Sequence, residues 1–310
     1  MPNLFYKKVR YKYNCSMKTT LICTDTLRSA KIAIDKKLTL LCPTDLDAKN
    51  FVVVPDRSTL DAERALLNTL GGSFNTQVVT FKNLANRLVN TPLNYLNKQN
   101  GVLLLSKLAF EASEQFVCFS KSFDTDGFAE KLYELISAFK YSRVSPEALS
   151  AQDLPVALKN KLQDVRLLYG LYVDATKDKF IDSADTLDLL ADCLNSQTIG
   201  NWGFYIYDFL SFTEQEKRIL EKLIQNGREV TVATPAFVDA QKTKSALFDN
   251  SVALAVKNVC QKLGEEFKQE YFCAPKSPLS AQVFNAFFGG GKIEKKTRPK
   301  RPTCAPRDGR

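Results

Sequence analysis

The chain has 310 residues, 45% hydrophobic and 25% charged, so it can bury a sizeable core and has an ordinary globular composition. Its formal charge is +9, but residues 1–16 contribute +4 and residues 289–310 contribute +6. The body from 17 to 288 is therefore nearly neutral, which argues against a broad basic face for DNA.

The first elements along the chain are two strands and a helix. The run Thr19–Asp25 is short and apolar and ends in polar residues, which is typical of a buried strand. Asn50–Pro55 contains consecutive valines, which favours a strand buried on both faces of a parallel sheet. Ser58 and Asp61 then predict a capping box at the start of a helix over 60–67.

The pattern next changes from mixed to helical. Gln77–Phe81 indicates a further strand, and apolar residues at helical spacing follow it from Leu84 to Val89. From about 101 to 200, apolar residues recur with a period of 3.6 over long stretches, which predicts helices. No convincing strand pattern occurs in this segment.

Strands resume after residue 200. Phe204–Asp208 and Glu229–Thr234 predict strands, and Thr213 and Glu216 predict a capping box for a helix that reaches Leu223. Strands alternating with helices predict an α/β fold with a mainly parallel sheet, interrupted by an inserted all-helical subdomain.

The predicted domains follow from this order. Residues 17–100 and 201–288 form the α/β domain, 101–200 form the helical insertion, and 1–16 form a basic extension. Residues 289–310 are predicted to be a disordered basic tail. Such a tail could bind nucleic acid or act as a nuclear signal, and a truncated or out-of-frame end explains it at least equally well.

The cysteines and the apolar segments bear on the compartment. None of the eight cysteines occurs in a C-x-x-C pair, so most are expected to be core thiols. The chain shows no signal peptide and no run of about 18 apolar residues, which predicts no membrane association. A reducing cytoplasm is the default location.

Several kinds of catalytic site are excluded by composition. The chain has no histidine, which removes Ser-His-Asp triads, Cys-His pairs and H-E-x-x-H zinc sites. A phosphate-binding loop would have to follow the first strand, but the first glycine of the chain is Gly71. Gly291-Lys292 is a chance match, because Ala286 and Ile293 stand where the motif needs glycine and Ser or Thr.

Asp208 is the one good candidate for a Mg²⁺ ligand, because it ends a predicted strand beside the expected phosphate site. The competing interpretation, which we favour, is a strand-end carboxylate that accepts a hydrogen bond from a nearby backbone N–H.

Short motifs occur in a fixed order at residues 54–67 (VPDRSTLDAERALL), 80–85 (TFKNLA), 127–140 and 205–216 (YIYDFLSFTEQE). In this order they resemble the amino-terminal part of the B subunit of bacterial AddAB/RexAB-type ATP-dependent helicase-nucleases. The family patterns are VP-E-Q-x-T-x-x-x-E-R-x-L-L, S-F-x-x-L-A and I-D-G-F-x-x-F-T-P-Q-E. The matching residues, with no role assigned, are Pro55, Thr59, Glu63, Phe81, Phe209, Phe212, Thr213 and Gln215.

The resemblance implies a RecA-like, superfamily-1 helicase-like domain carrying the helical insertion. It implies a heterodimer with a motor and nuclease A subunit that processes DNA double-strand breaks for homologous recombination. It places the nuclease motif, Mg²⁺ and a 4Fe–4S cluster in the carboxy-terminal region of a much longer polypeptide, so no cofactor is expected in this chain.

Two departures from the family bear on nucleotide chemistry. The missing Walker A sequence resembles the RexB-like branch that begins M-K-x-L-x-T-D, which Met17-Lys18 and Thr24-Asp25 fit. The alignment puts Tyr207 where a helicase has its Mg²⁺-binding aspartate and Asp208 at the second acid.

Three functional hypotheses remain. The leading one is a noncatalytic helicase-like scaffold or DNA-guiding part of the helicase-exonuclease, without a complete catalytic site of its own. The alternative is a degenerate nucleotide-binding hydrolase, an ATPase that uses Asp208. The third is a fragment with no independent function.

Overall fold

The structure is a computed structural model, and it describes residues 17–40, 48–149, 155–236 and 251–274. The predicted extension at 1–16 and the predicted tail at 289–310 lie outside the described residues. Across those four ranges, every helix is too short or too polar to cross a bilayer.

Six strands form one sheet in which every neighbouring pair is parallel. In chain order the strands of the structure are β1 (Thr19–Thr24), β2 (Lys49–Val53), β3 (Thr76–Val79), β4 (Asn94–Tyr95), β5 (Phe180–Ile181), β6 (Trp202–Tyr207), β7 (Glu229–Pro235) and β8 (Phe267–Phe272). The large sheet has the order β3-β2-β6-β7-β1-β8, and β4 and β5 form a separate parallel pair. The predicted α/β fold with a mainly parallel sheet is confirmed, and it is consistent with a RecA-like domain.

Helices cover both faces of this sheet. The α-helices within the described ranges are α1 (Leu27–Thr39), α2 (Thr59–Leu70), α3 (Phe81–Leu88), α4 (Lys98–Glu111), α5 (Phe128–Tyr141), α6 (Val156–Thr176), α7 (Ser183–Cys193), α8 (Ser196–Ile199), α9 (Glu214–Asn226) and α10 (Ser251–Leu263).

Apolar residues on both sides of the strands explain why the sheet is covered twice. In β6, Phe204 and Ile206 join one core cluster, while Tyr205 and Tyr207 join the cluster on the opposite face. Successive side chains of a strand point to opposite faces, so a continuous apolar run buries residues in two separate cores.

The predicted strands agree with the structure within one or two residues, but one predicted cap is wrong. Thr213 and Glu216 form the predicted capping box at the start of α9. Ser58 precedes α2 as predicted, yet its side chain makes no capping bond. Ser58 ends a short 3₁₀ turn (Asp56–Ser58) and has a helical backbone (φ −109°, ψ 0°) instead of the extended one of a capping residue, so its oxygen accepts no bond from an α2 amide, and its hydroxyl donates to the Asp208 carboxylate.

Several elements were not predicted from the sequence. These are α1, α10, β8 and the short pair of β4 with β5. Since β5 lies at Phe180–Ile181, the segment predicted to be wholly helical contains a two-residue strand.

The described apolar residues group into three buried clusters. The sheet core lies on the face with α3, α7, α9 and α10, and the second-face core lies under α1 and α2. The helical core is formed by α4, α5 and α6. Leu190 of α7 and Ile199 of α8 belong to the sheet core, although they precede the predicted boundary at residue 200. The domain boundaries at 100 and 200 stay a prediction.

The α9 capping box gives a direct stability test. Changing Thr213→Ala removes the acceptor for the Glu216 amide, and we expect the free energy of unfolding to fall by about 1 kcal/mol in urea titration. Gln99→Ala, at an exposed position in α4, is the control and should unfold like the unchanged protein. Equal destabilisation by both variants would contradict the role given to the cap.

Candidate functional site

A cleft of about 530 Å³ opens at the carboxyl ends of β2, β3 and β6. We call it the edge cleft. The segments that follow these three strands contribute one part of the lining, and α7, Tyr95 of β4 and Tyr141 of α5 contribute the rest. Its lining includes Pro55, Asp56, Arg57, Thr80, Phe81, Lys82, Asn86, Tyr95, Tyr141, Ser183, Phe209, Leu210 and Ser211.

The turn after β1, where a phosphate loop would lie, is too short to surround a phosphate. Only Asp25 and Thr26 separate β1 from α1. The Thr26 hydroxyl accepts a hydrogen bond from the Ser29 amide at 3.1 Å, and Ser29 Oγ accepts from the Ala274 amide at 3.2 Å. Side chains of the protein therefore use the groups with which a phosphate would interact.

The same kind of cap closes two further helix starts at this edge. Thr80 accepts from the Asn83 amide at 3.1 Å at the start of α3, and Thr213 caps α9. Glu216 completes the α9 cap, and burial raises its pKa although its bonds to Thr213 act in the opposite direction. At each of these helix starts a side chain of the protein thus bonds one of the free backbone N–H groups.

Asp208 is held by two neighbours from the segment after β2. Its carboxylate accepts from the Ser58 hydroxyl, and Arg57 Nη2 lies 3.8 Å from its Oδ2. Arg57 Nη2 also donates to the Asp208 carbonyl at 2.7 Å. The backbone of Asp208 has φ +67°, a left-handed conformation that aspartate and asparagine tolerate better than other residues with side chains.

The contacts of Asp208 favour a structural role over Mg²⁺ binding. A guanidinium already lies beside the carboxylate, and Tyr207, at the position of the helicase aspartate, is buried in the second-face core. Burial raises the pKa of Tyr207, with further contributions from Asp35 and Asp208, so its hydroxyl stays protonated. No cluster of three or more His, Cys, Asp or Glu suited to a metal ion occurs in the part of the chain that the structure describes.

The family-motif residues occupy two kinds of position. Pro55, Phe81 and Phe209 line the edge cleft. The rings of Phe81 and Phe209 lie 5.5 Å apart, and those of Phe209 and Phe212 lie 5.0 Å apart. All three rings are buried, so their main role in the structure is to pack beneath the cleft.

The remaining motif residues lie on helices. Thr59 and Glu63 are on α2, where the Thr59 hydroxyl donates to the Asp56 carbonyl at 3.1 Å. Gln215 is buried in α9, and its Nε2 donates to the Ala184 carbonyl at 2.9 Å and to Asp188 Oδ2 at 2.7 Å. Gln215 thus ties α9 to α7.

Sequence reasoning missed the exposed side chains of the cleft. Lys82 is exposed and forms no ion pair with another described residue, and Tyr95 is 57% exposed. Tyr141, which is half-buried, lines the same cavity. Lys82 occupies a variable position of the 80–85 motif, and Tyr95 and Tyr141 belong to no motif, so only the fold brings the three together.

A buried ion-pair cluster is centred on Lys140, the residue that precedes Tyr141 in α5. Lys140 Nζ lies 2.7 Å from Asp182 Oδ2 and 2.6 Å from Asp185 Oδ1. Burial acts to raise the pKa of Asp182, but the Lys140 ammonium and the backbone hydrogen bonds outweigh it and hold that pKa below its usual value. Burial raises the pKa of Asp185, which receives less compensation.

Asp208 can be tested as a structural residue. Asp208→Asn keeps a side chain that tolerates the left-handed backbone and removes the charge that Ser58 and Arg57 contact, so we expect a loss of about 1.5 kcal/mol in the free energy of unfolding. Ser58→Ala should cause a similar loss, and the double variant should be less destabilised than the two losses added together, as expected for one shared interaction.

Calorimetric titration with MgATP separates this role from a nucleotide site. Binding that is present in the unchanged protein and abolished by Asp208→Asn would contradict the structural role.

Comparison with known proteins identifies the family. The family model described as "ADDB, N-terminal" matches residues 37–283. The B subunit of the ATP-dependent helicase/deoxyribonuclease of Alkaliphilus metalliredigens (strain QYMF) is 31% identical over 232 residues, which cover 70% of this chain and 20% of that protein. The protein of the same name from Clostridium tetani (strain Massachusetts / E88) is 30% identical over 241 residues, covering 72% and 20%.

A third relative of that name, from Thermoanaerobacter sp. (strain X514), is 32% identical over 193 residues, which cover 59% of this chain and 17% of the relative. The chain therefore spans about a fifth of the length of the curated relatives it matches. Since the family model covers most of the 310 residues and the motifs at 54–67, 80–85 and 205–216 all fall inside it, the chain belongs to the AddB family, of which it carries the amino-terminal region.

Proposed function

We propose that this chain is a noncatalytic, helicase-like part of one subunit of an ATP-dependent helicase-nuclease, and that it guides single-stranded DNA during double-strand-break repair by homologous recombination. The observation that carries the proposal is the contrast at the sheet edge. The turn after β1 is closed by Thr26 and Ser29. The edge cleft, on the other side of β7 along the same sheet edge, is open, and its lining contains cationic and aromatic side chains together with the acids Asp56 and Glu216.

The chemistry of the cleft suits a single strand. Arg57 and Lys82 supply positive charge on the sheet side, and Tyr95 and Tyr141 present rings on the helical side. Proteins that bind single strands without sequence preference combine backbone-tracking cations with aromatic stacking surfaces. The Asp208 carboxylate lowers the net charge near Arg57, which leaves Lys82 as the cation most available to a phosphate.

The names of the relatives support the wider assignment. They are B subunits of an ATP-dependent helicase/deoxyribonuclease, a name that implies a partner chain. We propose a heterodimer with a motor and nuclease A subunit in the cytoplasm. From the family resemblance we also propose that the Mg²⁺-dependent nuclease and the 4Fe–4S cluster belong to a carboxy-terminal region outside the part that this chain matches, and that no residue of this chain binds them.

Two single substitutions in the edge cleft test DNA binding, and they should differ in their effect on the salt dependence of the affinity. Lys82→Ala should weaken binding of a single-stranded oligonucleotide and reduce the slope of log affinity against log salt by about 0.7, because one phosphate contact is lost. Tyr95→Ala should weaken binding about fivefold without changing that slope, because it removes stacking. Fluorescence anisotropy over a salt series measures both quantities.

The far edge of the sheet offers matched controls. Lys268 and Tyr271 lie on β8, at the opposite end of the strand order from β3, and both side chains are exposed. Lys268→Ala and Tyr271→Ala should bind like the unchanged protein. If either control weakened binding as much as its counterpart, the cleft would not be the DNA site.

Association with the A subunit is a separate expectation. The chain carrying an affinity tag should retain the cognate A subunit through a wash at roughly physiological salt, measured as the ratio of the two polypeptides after elution. Failure to retain the A subunit under conditions where the chain is folded by circular dichroism would contradict the heterodimer.

A further inference from the structure

The contact between the helical core and the α/β part is ionic where α5 meets α7. The helical core and the sheet core are separate clusters among the described residues. Between them Lys140 of α5, with a side chain 11% exposed, contacts both Asp182 and Asp185. Apolar packing has little directional preference, so these short charge-assisted bonds define the angle between α5 and α7 more sharply.

Asp182 fixes three elements at one carboxylate. Its Oδ1 accepts from the amides of Ala184 and Asp185 in the capping box of α7. Its Oδ2 accepts from Lys140 of α5 and, at 3.2 Å, from the Tyr172 hydroxyl of α6. The Asp182 side chain is only 2% exposed, so loss of a partner would leave a buried charge uncompensated.

A third acid on the same side of α7, one helical turn after Asp185, is held to α9 in the same way. Asp188 Oδ1 lies 2.9 Å from Arg218 Nη1 of α9, and its Oδ2 accepts from Gln215 at 2.7 Å. Arg143, just after α5, approaches Asp188 Oδ1 at 3.6 Å. The acidic side of α7 therefore connects α5 to α9, the helix that begins beside the edge cleft.

The ion pairs that Lys140 forms with Asp182 and Asp185, which we call the ionic joint, lie directly next to the edge cleft. Tyr141 follows Lys140, and Ser183 follows Asp182, and both residues line the cavity. Their hydroxyl oxygens are 3.3 Å apart. A change in the angle between α5 and α7 would move Tyr141 relative to Lys82 and Arg57 across the opening.

We propose that Lys140, through Asp182 and Asp185, is a positioning residue that sets the opening of the edge cleft and so tunes the affinity for single-stranded DNA without touching it. This inference rests on the proposed DNA-guiding function. It goes beyond that function, because it assigns a role to a buried cluster that is not part of the lining of the edge cleft.

The test changes Lys140→Met in the full chain. Single-strand affinity should fall about fivefold or more, as expected for coupling between a site and a distant element. The salt slope should stay unchanged, because no phosphate contact is removed. Hydrogen exchange should increase at the amides of 183–193 and around Tyr141. Lys140→Arg, which keeps the cation, should restore both affinity and protection.

Lys98 provides a matched control. It also contacts two carboxylates, Glu130 at 2.7 Å and Glu134 at 3.3 Å, but both lie on α5 and Lys98 is on α4, so this pairing stays within the helical segment. Lys98→Met should leave affinity and exchange at α7 unchanged. If Lys140→Met does not fold, Asp185→Asn replaces it under the same criteria, because Asp185 is the more exposed of the two acids.

Three results would overturn the inference: unchanged affinity with Lys140→Met, a reduced salt slope, or an equal loss with Lys98→Met. If the unchanged chain binds no single-stranded oligonucleotide, the proposed function fails independently. Hydrogen exchange then tests the ionic joint independently of DNA binding. Unchanged protection of the α7 amides in Lys140→Met would overturn the positioning role of Lys140.

Discussion

Burial of a parallel sheet on both faces is the constraint from which the rest of the structure follows. Strands such as Phe51–Val53 and Phe204–Tyr207 carry apolar side chains in both directions, so helices must cover both sides. Parallel strands joined by helices place all their carboxyl ends at one edge. The segments after β2, β3 and β6 consequently meet there, although Ser58 and Asp208 are 150 residues apart in the chain.

What this edge can bind depends on the side chains that complete the helix starts. Thr26, Thr80 and Thr213 each accept a hydrogen bond from the backbone of the helix that follows. A helix start in a nucleotide-binding loop leaves its N–H groups for phosphate. In this chain a threonine already bonds one of these N–H groups at each of the three helix starts, and the lining of the open cleft at the edge includes Arg57, Lys82 and Tyr95.

The helical core of α4, α5 and α6 contacts the α/β part at α7. This helix contributes Leu190 and Ala191 to the sheet core, while its acidic side pairs with Lys140 and Arg218. One side of α7 is thus fixed by apolar burial and the other by ion pairs. Ionic contacts of this kind specify an orientation more than they add stability, since desolvation offsets much of their attraction.

Local sequence patterns were sufficient to predict the α/β class, five strands of the large sheet, the α9 cap and the family. These properties are encoded locally, because apolar periodicity, capping patterns and ordered motifs occupy neighbouring residues. The sequence also excluded histidine chemistry and a phosphate loop, since both need residue types that this chain lacks at the required positions. Tertiary packing alone established the partners of Ser58 and Asp208 and the meeting of Lys82 with Tyr95 and Tyr141. The S-x-x-D pattern at Ser58 failed because the short 3₁₀ turn at 56–58 gives Ser58 a helical backbone, and its hydroxyl contacts a carboxylate distant in sequence. The Lys140–Asp182 pair likewise joins two helices with no shared motif, and such contacts depend on the positions of packed elements, which local patterns do not specify.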